Sequence, residues 1–313
     1  MSTSQQYCIA GHRVEIAYRG NDSSFWTLLP SFRTFLLQGG RLPSAAWPES
    51  VESPENAPML FRMTVDDTLR PVQKDVREHI RDFDTGNGIT RVDRLPDGGY
   101  QYIIRDIRGN DCCLLITDST FADCRCALNG DFRMRTFGLN NALMLAYAFA
   151  ASRRQTLLIH ASLVRHEGHG YAFTAKSGTG KSTHVNLWLN HIPDCDLMND
   201  DNPIVRILDD GKAYIFGSPW SGKTPCYRNI VAPLGALTLI ERAKENRVER
   251  FQPIDAFAAL LPACSTMKWD TAVFESVCQT VSHLIERIPI YVLHCLPDRD
   301  AAIVCHDTIA RKQ

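Results

Sequence analysis

The feature that most constrains this chain of 313 residues is a glycine-rich segment between a predicted strand and a predicted helix. The strand is the apolar run Tyr171-Ala172-Phe173-Thr174, and an apolar helical pattern begins at Val185. Between them the sequence is Ala-Lys-Ser-Gly-Thr-Gly-Lys-Ser-Thr over 175–183. A strand, a glycine-rich loop and a helix in this order are typical of a phosphate-binding loop. The alternative is a chance turn rich in glycine and serine.

The residue types in this segment suit a bound polyphosphate. Gly178 and Gly180 let the backbone curl so that its N–H groups point at phosphate oxygens, and the helix adds the positive end of its dipole. Lys181 can bridge the β- and γ-phosphates, and the Ser182 hydroxyl can ligate Mg²⁺. The predicted nucleotide-binding residues are this segment and one cation further along the chain, namely Ser177, Gly178, Thr179, Gly180, Lys181, Ser182, Thr183 and Lys223.

A pair of acids follows the loop. Asp200 and Asp201 come directly after the short apolar run Leu197-Met198 and an asparagine. Two adjacent acids at the end of a strand can divide the chemistry between them: one holds a metal ion, and the other accepts the proton of an attacking hydroxyl. A solvated Asp-Asp turn is the alternative.

His160, the glycine-rich loop and the acid pair, in this order, resemble the catalytic domain of HPr serine kinase/phosphorylase, which belongs to the phosphoenolpyruvate-carboxykinase-like group of phosphate-loop proteins. The resemblance covers about 139–313. It implies a catalytic set in which Asp200 is the general base with His160 beside it, Lys181 holds the phosphates, and Ser182 and Asp201 hold Mg²⁺.

The same resemblance implies a functional arginine in the loop over 217–229, and we assign it to Arg228. Lys223 lies in the same loop and could meet phosphate or an acidic acceptor. An ordinary surface turn with solvated cations is the alternative reading of this segment.

The expected activity is therefore a Mg²⁺-dependent transfer of the terminal phosphoryl group of ATP to a hydroxyl acceptor. The acceptor is a serine of a peptide or protein, or a small alcohol. A nucleotide-binding regulatory module without catalysis is one alternative, and a carboxykinase-like reaction is another. True carboxykinases carry a reactive cysteine in the phosphate loop, and this loop has none. The phosphoryl donor and the direction of transfer stay open.

Composition argues against several other classes of protein. Lys and Arg total 34 and Asp and Glu total 35, so the net charge is −1. A near-neutral chain lacks the long-range attraction that general nucleic-acid binders use, and we expect no nucleic-acid partner.

We expect no membrane span either, because no apolar stretch approaches the roughly 18 residues that such a helix needs. With 11 cysteines and no recognisable export signal, the chain is expected to keep reduced thiols in the cytoplasm.

The fold class predicted from these patterns is α/β with two domains. Short β-like runs separated by turns indicate a β-rich N-terminal domain over 1–137, which we expect to recognise the acceptor. A helical period begins near Leu139 and opens the second domain, 138–313. The resemblance implies that this domain is a phosphate-loop kinase domain of the HPr kinase/phosphoenolpyruvate carboxykinase type with a mixed central sheet. Because HPr kinases form rings, a homo-oligomer is a further expectation.

Two other groups of side chains are better explained by packing. Four cysteines, Cys112, Cys113, Cys124 and Cys126, could be taken for a metal site, but adjacent strand residues point to opposite faces. His184 and His191 lie seven apart on the helix after the loop, with no third ligand nearby, and are interpreted as packing or solvated residues. Trp188 is interpreted as helix-to-sheet packing.

Overall fold

The structure is a computed structural model that describes residues 3–37, 47–48, 57–176 and 178–310. These residues form two units. The N-terminal unit contains the described residues up to 151 except 47–48, which group with 152–310 in the C-terminal unit. Ser177, one of the predicted nucleotide-binding residues, lies outside the described residues.

A mixed sheet forms most of the N-terminal unit. Its described strands are β1 (Thr3–Ile9), β2 (His12–Tyr18), β3 (Met59–Val65), β4 (Glu78–Asp84), β5 (Ile89–Arg94), β6 (Tyr100–Arg105), β7 (Asp111–Thr117) and β8 (Asp123–Leu128). They lie in the order β1-β2-β3-β8-β7-β6-β5-β4. Strands β4 to β8 pair antiparallel with their sequence neighbours, as the alternation of apolar runs and turns predicts. Strand β3 joins this meander to the β1–β2 hairpin through parallel pairs.

Helix α1 (Phe132–Ser152) packs on this sheet. A Cβ added to Gly138 would lie 2.7 Å from the carbonyl oxygen of Cys112, so the helix backbone lies almost directly on β7. The Tyr147 hydroxyl donates to the carbonyl of Ile9 over 3.2 Å. Because α1 buries its apolar face here, the division between the units falls after residue 151 and not near 137 as predicted. Periodicity identified the helix but not the sheet it packs on.

The C-terminal unit has a second mixed sheet, in agreement with the prediction of an α/β chain with a mixed central sheet. Its described strands are β9 (Thr156–Leu158), β10 (Ala161–His166), β11 (His169–Thr174), β12 (Cys195–Asp201), β13 (Ile204–Ile207), β14 (Ala213–Phe216), β15 (Val231–Arg242), β16 (Arg247–Arg250) and β17 (Ile290–Cys295). The order is β12-β10-β11-β15-β14-β13-β9. Strand β17 pairs parallel with the second half of β15 and carries β16 on its other edge.

Helices cover both faces of this sheet. The helices of the unit are α2 (Lys181–His191), α3 (Pro253–Leu260), α4 (Thr271–Ile285) and α5 (Arg299–Ile309). Helices α2 and α5 share one apolar core with the sheet, and α3 and α4 share another with its opposite face. Neighbouring residues of β10 show the arrangement, because Leu163 belongs to the second core and Val164 to the first.

No helix in the described part of the chain is long and apolar enough to cross a membrane. All 11 cysteines lie in the described residues, and each is a free thiol. Burial raises the pKa of Cys113 and Cys124 well above the usual range, which keeps both sulfurs in the neutral form.

Candidate functional site

The glycine-rich loop connects β11 to α2 at the edge of the C-terminal sheet. Gly178 has φ of 75° and Gly180 has φ of 128°, values that favour glycine. A Cβ added to Gly178 would meet no described atom within 4 Å, so the loop there borders open space. Helix α2 begins at Lys181 with Gly180 as its N-cap, and this cap supplies no side-chain hydrogen bond. The first-turn N–H groups of α2 are therefore suitably placed to receive an anion.

A chain of three polar side chains leads from this helix start to the acid pair. The Nζ atom of Lys181 lies 2.7 Å from Nε2 of His160. The Nδ1 atom of His160 lies 3.0 Å from Oδ1 of Asp201. Because an ammonium group only donates, Nε2 of His160 is the accepting nitrogen and Nδ1–H donates to Asp201. The structure thus brings together three of the predicted site residues.

Two opposing effects act on the pKa of the Lys181 ammonium. Burial lowers the pKa of Lys181 below its usual value, and the carboxylates of Asp201 and Asp200 oppose this shift. Desolvation makes a cation favour an anionic neighbour more strongly. A half-buried ammonium held by a neutral imidazole is consequently well placed to bind a phosphate oxygen.

The two acids have very different surroundings. Asp200 is only 5% exposed, and its Oδ1 accepts the hydroxyl hydrogen of Ser162 over 2.7 Å. Its Oδ2 accepts from the backbone N–H of Thr224 over 3.2 Å. The Asp201 side chain is 33% exposed. Successive strand residues point to opposite faces, and here the first acid is enclosed while the second faces His160.

Asp201 also has an unusual backbone. Its φ is 109°, a conformation that costs an L residue on the order of 1–3 kcal/mol. The segment that holds it is the loop after β14: Gly222 donates its N–H to the Asp200 carbonyl, and a Cβ on Gly222 would lie 3.0 Å from Cβ of Asp201. The close approach of this loop therefore fixes the position of Asp201.

Buried Asn199 holds the loop after β14 through side-chain hydrogen bonds. Its Nδ2 lies 3.1 Å from the carbonyl of Trp220 and 3.3 Å from the hydroxyl oxygen of Ser218. Lys223 is exposed and follows Gly222 directly in the same loop. Sequence reasoning did not identify Asn199 as a site residue, although it immediately precedes the two acids.

Arg228 does not contact the acid pair in the described residues. Its guanidinium donates to the Asp196 carboxylate over 2.6 Å and to the carbonyl of Leu197, at the beginning of β12, whereas the acid pair is at the end of that strand. Arg165 binds the same carboxylate through two hydrogen bonds. Although burial opposes it, these arginines hold the pKa of Asp196 below its usual value. Arg228 therefore forms an ion pair at the beginning of β12, away from the acid pair that the predicted functional role would require it to approach.

Arg242 is a residue of the loop region that sequence reasoning missed. It ends β15, the parallel neighbour of the strand that enters the loop. Its Nη2 donates to the Gly178 carbonyl over 2.6 Å and its Nε to the Thr179 carbonyl over 3.0 Å. Phosphate loops turn their N–H groups towards the anion. A cation that binds the carbonyls stabilises that arrangement of the loop.

A cavity of about 410 Å³ adjoins the loop. The loop backbone from Gly178 to Gly180 forms one wall, and apolar side chains, Leu187, Ile240 and Leu296 among them, form much of the rest. His184 also lines it and is 2% exposed. Burial lowers the pKa of His184 to about 4, so the ring is neutral at neutral pH.

The predicted loop residues Thr179, Ser182 and Thr183 all belong to this region, with Ser182 exposed in the first turn of α2. Over the described residues, no set of three or more His, Cys, Asp or Glu side chains is arranged to hold a metal ion. A metal here would need oxygen ligands from Ser182, Asp201 and a bound phosphate. No protein-family model matches this chain, and no curated protein matches it in sequence.

Proposed function

We propose that this chain is a Mg²⁺-dependent kinase that transfers the terminal phosphoryl group of ATP to a hydroxyl of a peptide, a protein or a small alcohol. The observation that carries the proposal is the continuous contact from Lys181 through His160 to Asp201. In this contact the Lys181 ammonium and the Asp201 carboxylate lie on either side of one imidazole. This arrangement supports a role for the cation in binding phosphate and for the carboxylate in accepting a hydroxyl proton. Transfer of a phosphoryl group depends mainly on such positioning and charge.

The loop and its cavity support a nucleotide as donor. The first turn of α2 offers N–H groups to the phosphates, and the cavity beside Gly178 has room and apolar walls for the rest of the molecule. The order of β11, loop and α2 within a mixed sheet is compatible with a catalytic domain of the HPr kinase/phosphoenolpyruvate carboxykinase type.

The donor set fits Mg²⁺. This ion prefers hard oxygen ligands, usually one or two carboxylates together with substrate phosphates. The exposed hydroxyl of Ser182 is a ligand of this kind. Asp201, which the proposed reaction uses as proton acceptor, would meet the ion only through one of the waters that Mg²⁺ retains. A bound Mg²⁺ would neutralise the charge that develops on the phosphate oxygens.

In the proposed reaction, the acceptor oxygen forms a bond to the γ-phosphorus while the bond from that phosphorus to the bridging β–γ oxygen breaks. The acceptor proton goes to a carboxylate of the acid pair. The resemblance assigns this role to Asp200, whose two oxygens accept from Ser162 and Thr224. The two oxygens of Asp201 accept from His160 and Asn202, so hydrogen bonding does not distinguish the two acids. The exposure of Asp201 favours it as the carboxylate on the reacting side, with Asp200 holding the loop that positions it.

The test uses the purified full chain, γ-labelled ATP and a panel of serine peptides and small alcohols, with slow hydrolysis by water as a second readout. We expect label transfer, and a loss of about 100-fold or more in Lys181→Ala and Asp201→Asn, as is usual when an electrostatic contact to the transition state is removed. Arg247→Ala, an exposed change on β16, is the control. Tight ATP binding with no transfer would instead indicate a regulatory module, and equal transfer by both variants would overturn the assignment.

A further inference from the structure

Asn202 follows the acid pair directly and contacts its second member. The Nδ2 atom of Asn202 lies 2.8 Å from Oδ2 of Asp201. Because an ionised carboxylate only accepts, the amide nitrogen of Asn202 is the atom that faces it, and this nitrogen donates. His160 binds the other oxygen, Oδ1, over 3.0 Å. The Asp201 carboxylate is therefore held at both oxygens, by two different side chains.

A carboxylate that is held at one oxygen alone keeps rotational freedom. The terminal torsion of an Asp side chain is broad, so the bond from His160 to Oδ1 does not by itself define the carboxylate plane. The Asp201 side chain is 33% exposed, so packing does not enclose it either. The bond from Asn202 to Oδ2 supplies the second restraint. An ionised carboxylate can accept about four hydrogen bonds, so positions remain for an incoming hydroxyl.

The backbone of Asn202 is itself held by buried side chains. Its N–H donates to Oδ1 of Asn199 over 3.0 Å, and its carbonyl accepts from the Ser218 hydroxyl over 2.6 Å. Both partners are fully buried. Pro203 follows, and a residue before proline is restricted to extended conformations. Since these contacts use backbone atoms of Asn202, they fix where its amide lies and are kept when the side chain is changed.

We propose that Asn202 is a positioning residue of the transfer reaction, which orients the Asp201 carboxylate towards the acceptor hydroxyl. Asn202 acts through Asp201 and takes no part in binding the nucleotide. A misplacement of about 1 Å can cost on the order of 100-fold in rate, so the orientation of the proton acceptor contributes directly to turnover. This inference rests on the proposed function, because Asp201 needs a defined orientation only if it receives the acceptor proton.

The first experiment measures kcat and KM separately for the full chain with γ-labelled ATP and an accepted hydroxyl. In Asn202→Ala we expect kcat to fall about 10-fold, as for the loss of one hydrogen bond to a charged group, and the KM for ATP to change less than about 2-fold. Asn202→Asp keeps the shape and the backbone contacts but not the donor, and should lose at least as much. Asn110→Ala is the matched control, because it removes an amide-to-carboxylate hydrogen bond of 3.0 Å in an exposed turn.

A double-mutant cycle with Asp201→Asn then tests whether Asn202 acts through that carboxylate. We expect Asn202→Ala to lower kcat about 10-fold in the wild-type chain and less than about 2-fold in the Asp201→Asn background. A purely structural role would give the same loss in both backgrounds. Urea unfolding of each variant confirms that it folds, and Asn202→Asp replaces Asn202→Ala in the cycle if the alanine variant does not.

Two results would overturn the inference and leave the kinase proposal standing. One is an equal loss of kcat in the wild-type and Asp201→Asn backgrounds, and the other is a wild-type kcat in the folded Asn202 variants. If the wild-type chain transfers no label to any acceptor or to water, the proposed function itself fails, and the inference fails with it.

Discussion

Lys181 and His160 are joined by a hydrogen bond of 2.7 Å between Nζ and Nε2. The imidazole thus accepts from the lysine and passes its other hydrogen to Asp201. His160 lies between β9 and β10, so a residue outside the glycine-rich loop orients the Lys181 ammonium.

Removing that histidine is predicted to impair transfer without unfolding the chain. In His160→Ala the Lys181 ammonium loses its acceptor, and a hydrogen bond to a charged group contributes about 1.5–3 kcal/mol, equivalent to roughly 10- to 100-fold in rate. Steady-state kinetics with ATP and any accepted hydroxyl measure the effect. His191→Ala on the exposed end of α2 is the control, and a His160→Ala enzyme as active as wild type would show that the contact has no role in catalysis.

The two acids are predicted to respond differently to the same chemical change. Asp201→Asn should reduce transfer about 100-fold or more and change stability little, because its side chain is partly exposed. Asp200→Asn should lower the free energy of unfolding by about 1–3 kcal/mol, because an amide cannot accept from both Ser162 and Thr224. Urea unfolding and transfer assays on both variants test this, and the reverse pattern would restore the base role to Asp200.

Arg242 is predicted to support nucleotide binding through the loop. Arg242→Ala removes both hydrogen bonds to the carbonyls of Gly178 and Thr179, and we expect ATP affinity to fall about tenfold. Hydrogen exchange of the loop amides should become faster, a change that loss of surface charge alone would not produce. Arg247→Ala removes a similar exposed charge nearby in sequence and serves as control; a matching effect in both variants would argue for simple charge loss.

Burial of His184 predicts a dependence of stability on pH. Its pKa falls from 6.5 to about 4 in the folded chain, so between these values the unfolded chain binds more protons. The free energy of unfolding therefore decreases as the pH falls below neutrality, by about 2 kcal/mol at pH 5. Urea unfolding at pH 7.5 and pH 5 measures the loss. His184→Leu should make the decrease in the free energy of unfolding between pH 7.5 and pH 5 smaller, and His191→Leu should not. If the decrease is the same in His184→Leu as in the wild type, His184 is not its source.

The local elements of the C-terminal unit could be predicted from the sequence. Apolar runs and turns identified β11, the glycine-rich loop, α2 and the strand that ends in Asp200 and Asp201. The apolar runs over 237–242 and 290–295 also read locally as strands, and they lie in β15 and β17. These predictions succeed because each depends on residues close together in the chain, where periodicity and turn chemistry determine the result.

The residues that the prediction missed depend on contacts between distant segments. Arg242 reaches the loop only because β15 pairs parallel with β11, and nothing in the local sequence specifies that pairing. Arg228 was assigned a functional role by resemblance, but it shares an ion pair network with Asp196 and Arg165 at the beginning of β12. Adjacent acids on a strand face opposite ways, and the contacts with distant segments decide that Asp200 is the enclosed acid and Asp201 the partly exposed one.

The long strand β15 has a consequence for how the chain is made. Its second half pairs with β17, where Leu237 meets Ile290. During translation at roughly 5–20 residues per second, the ribosome needs several seconds to deliver that partner after β15 has emerged. Throughout that interval the edge of β15 that later pairs with β17 has unpaired backbone N–H and C=O groups. Such an edge can pair with a strand of another chain. Expression at lower temperature or with chaperones that shield nascent strands should therefore raise the yield of correctly folded protein.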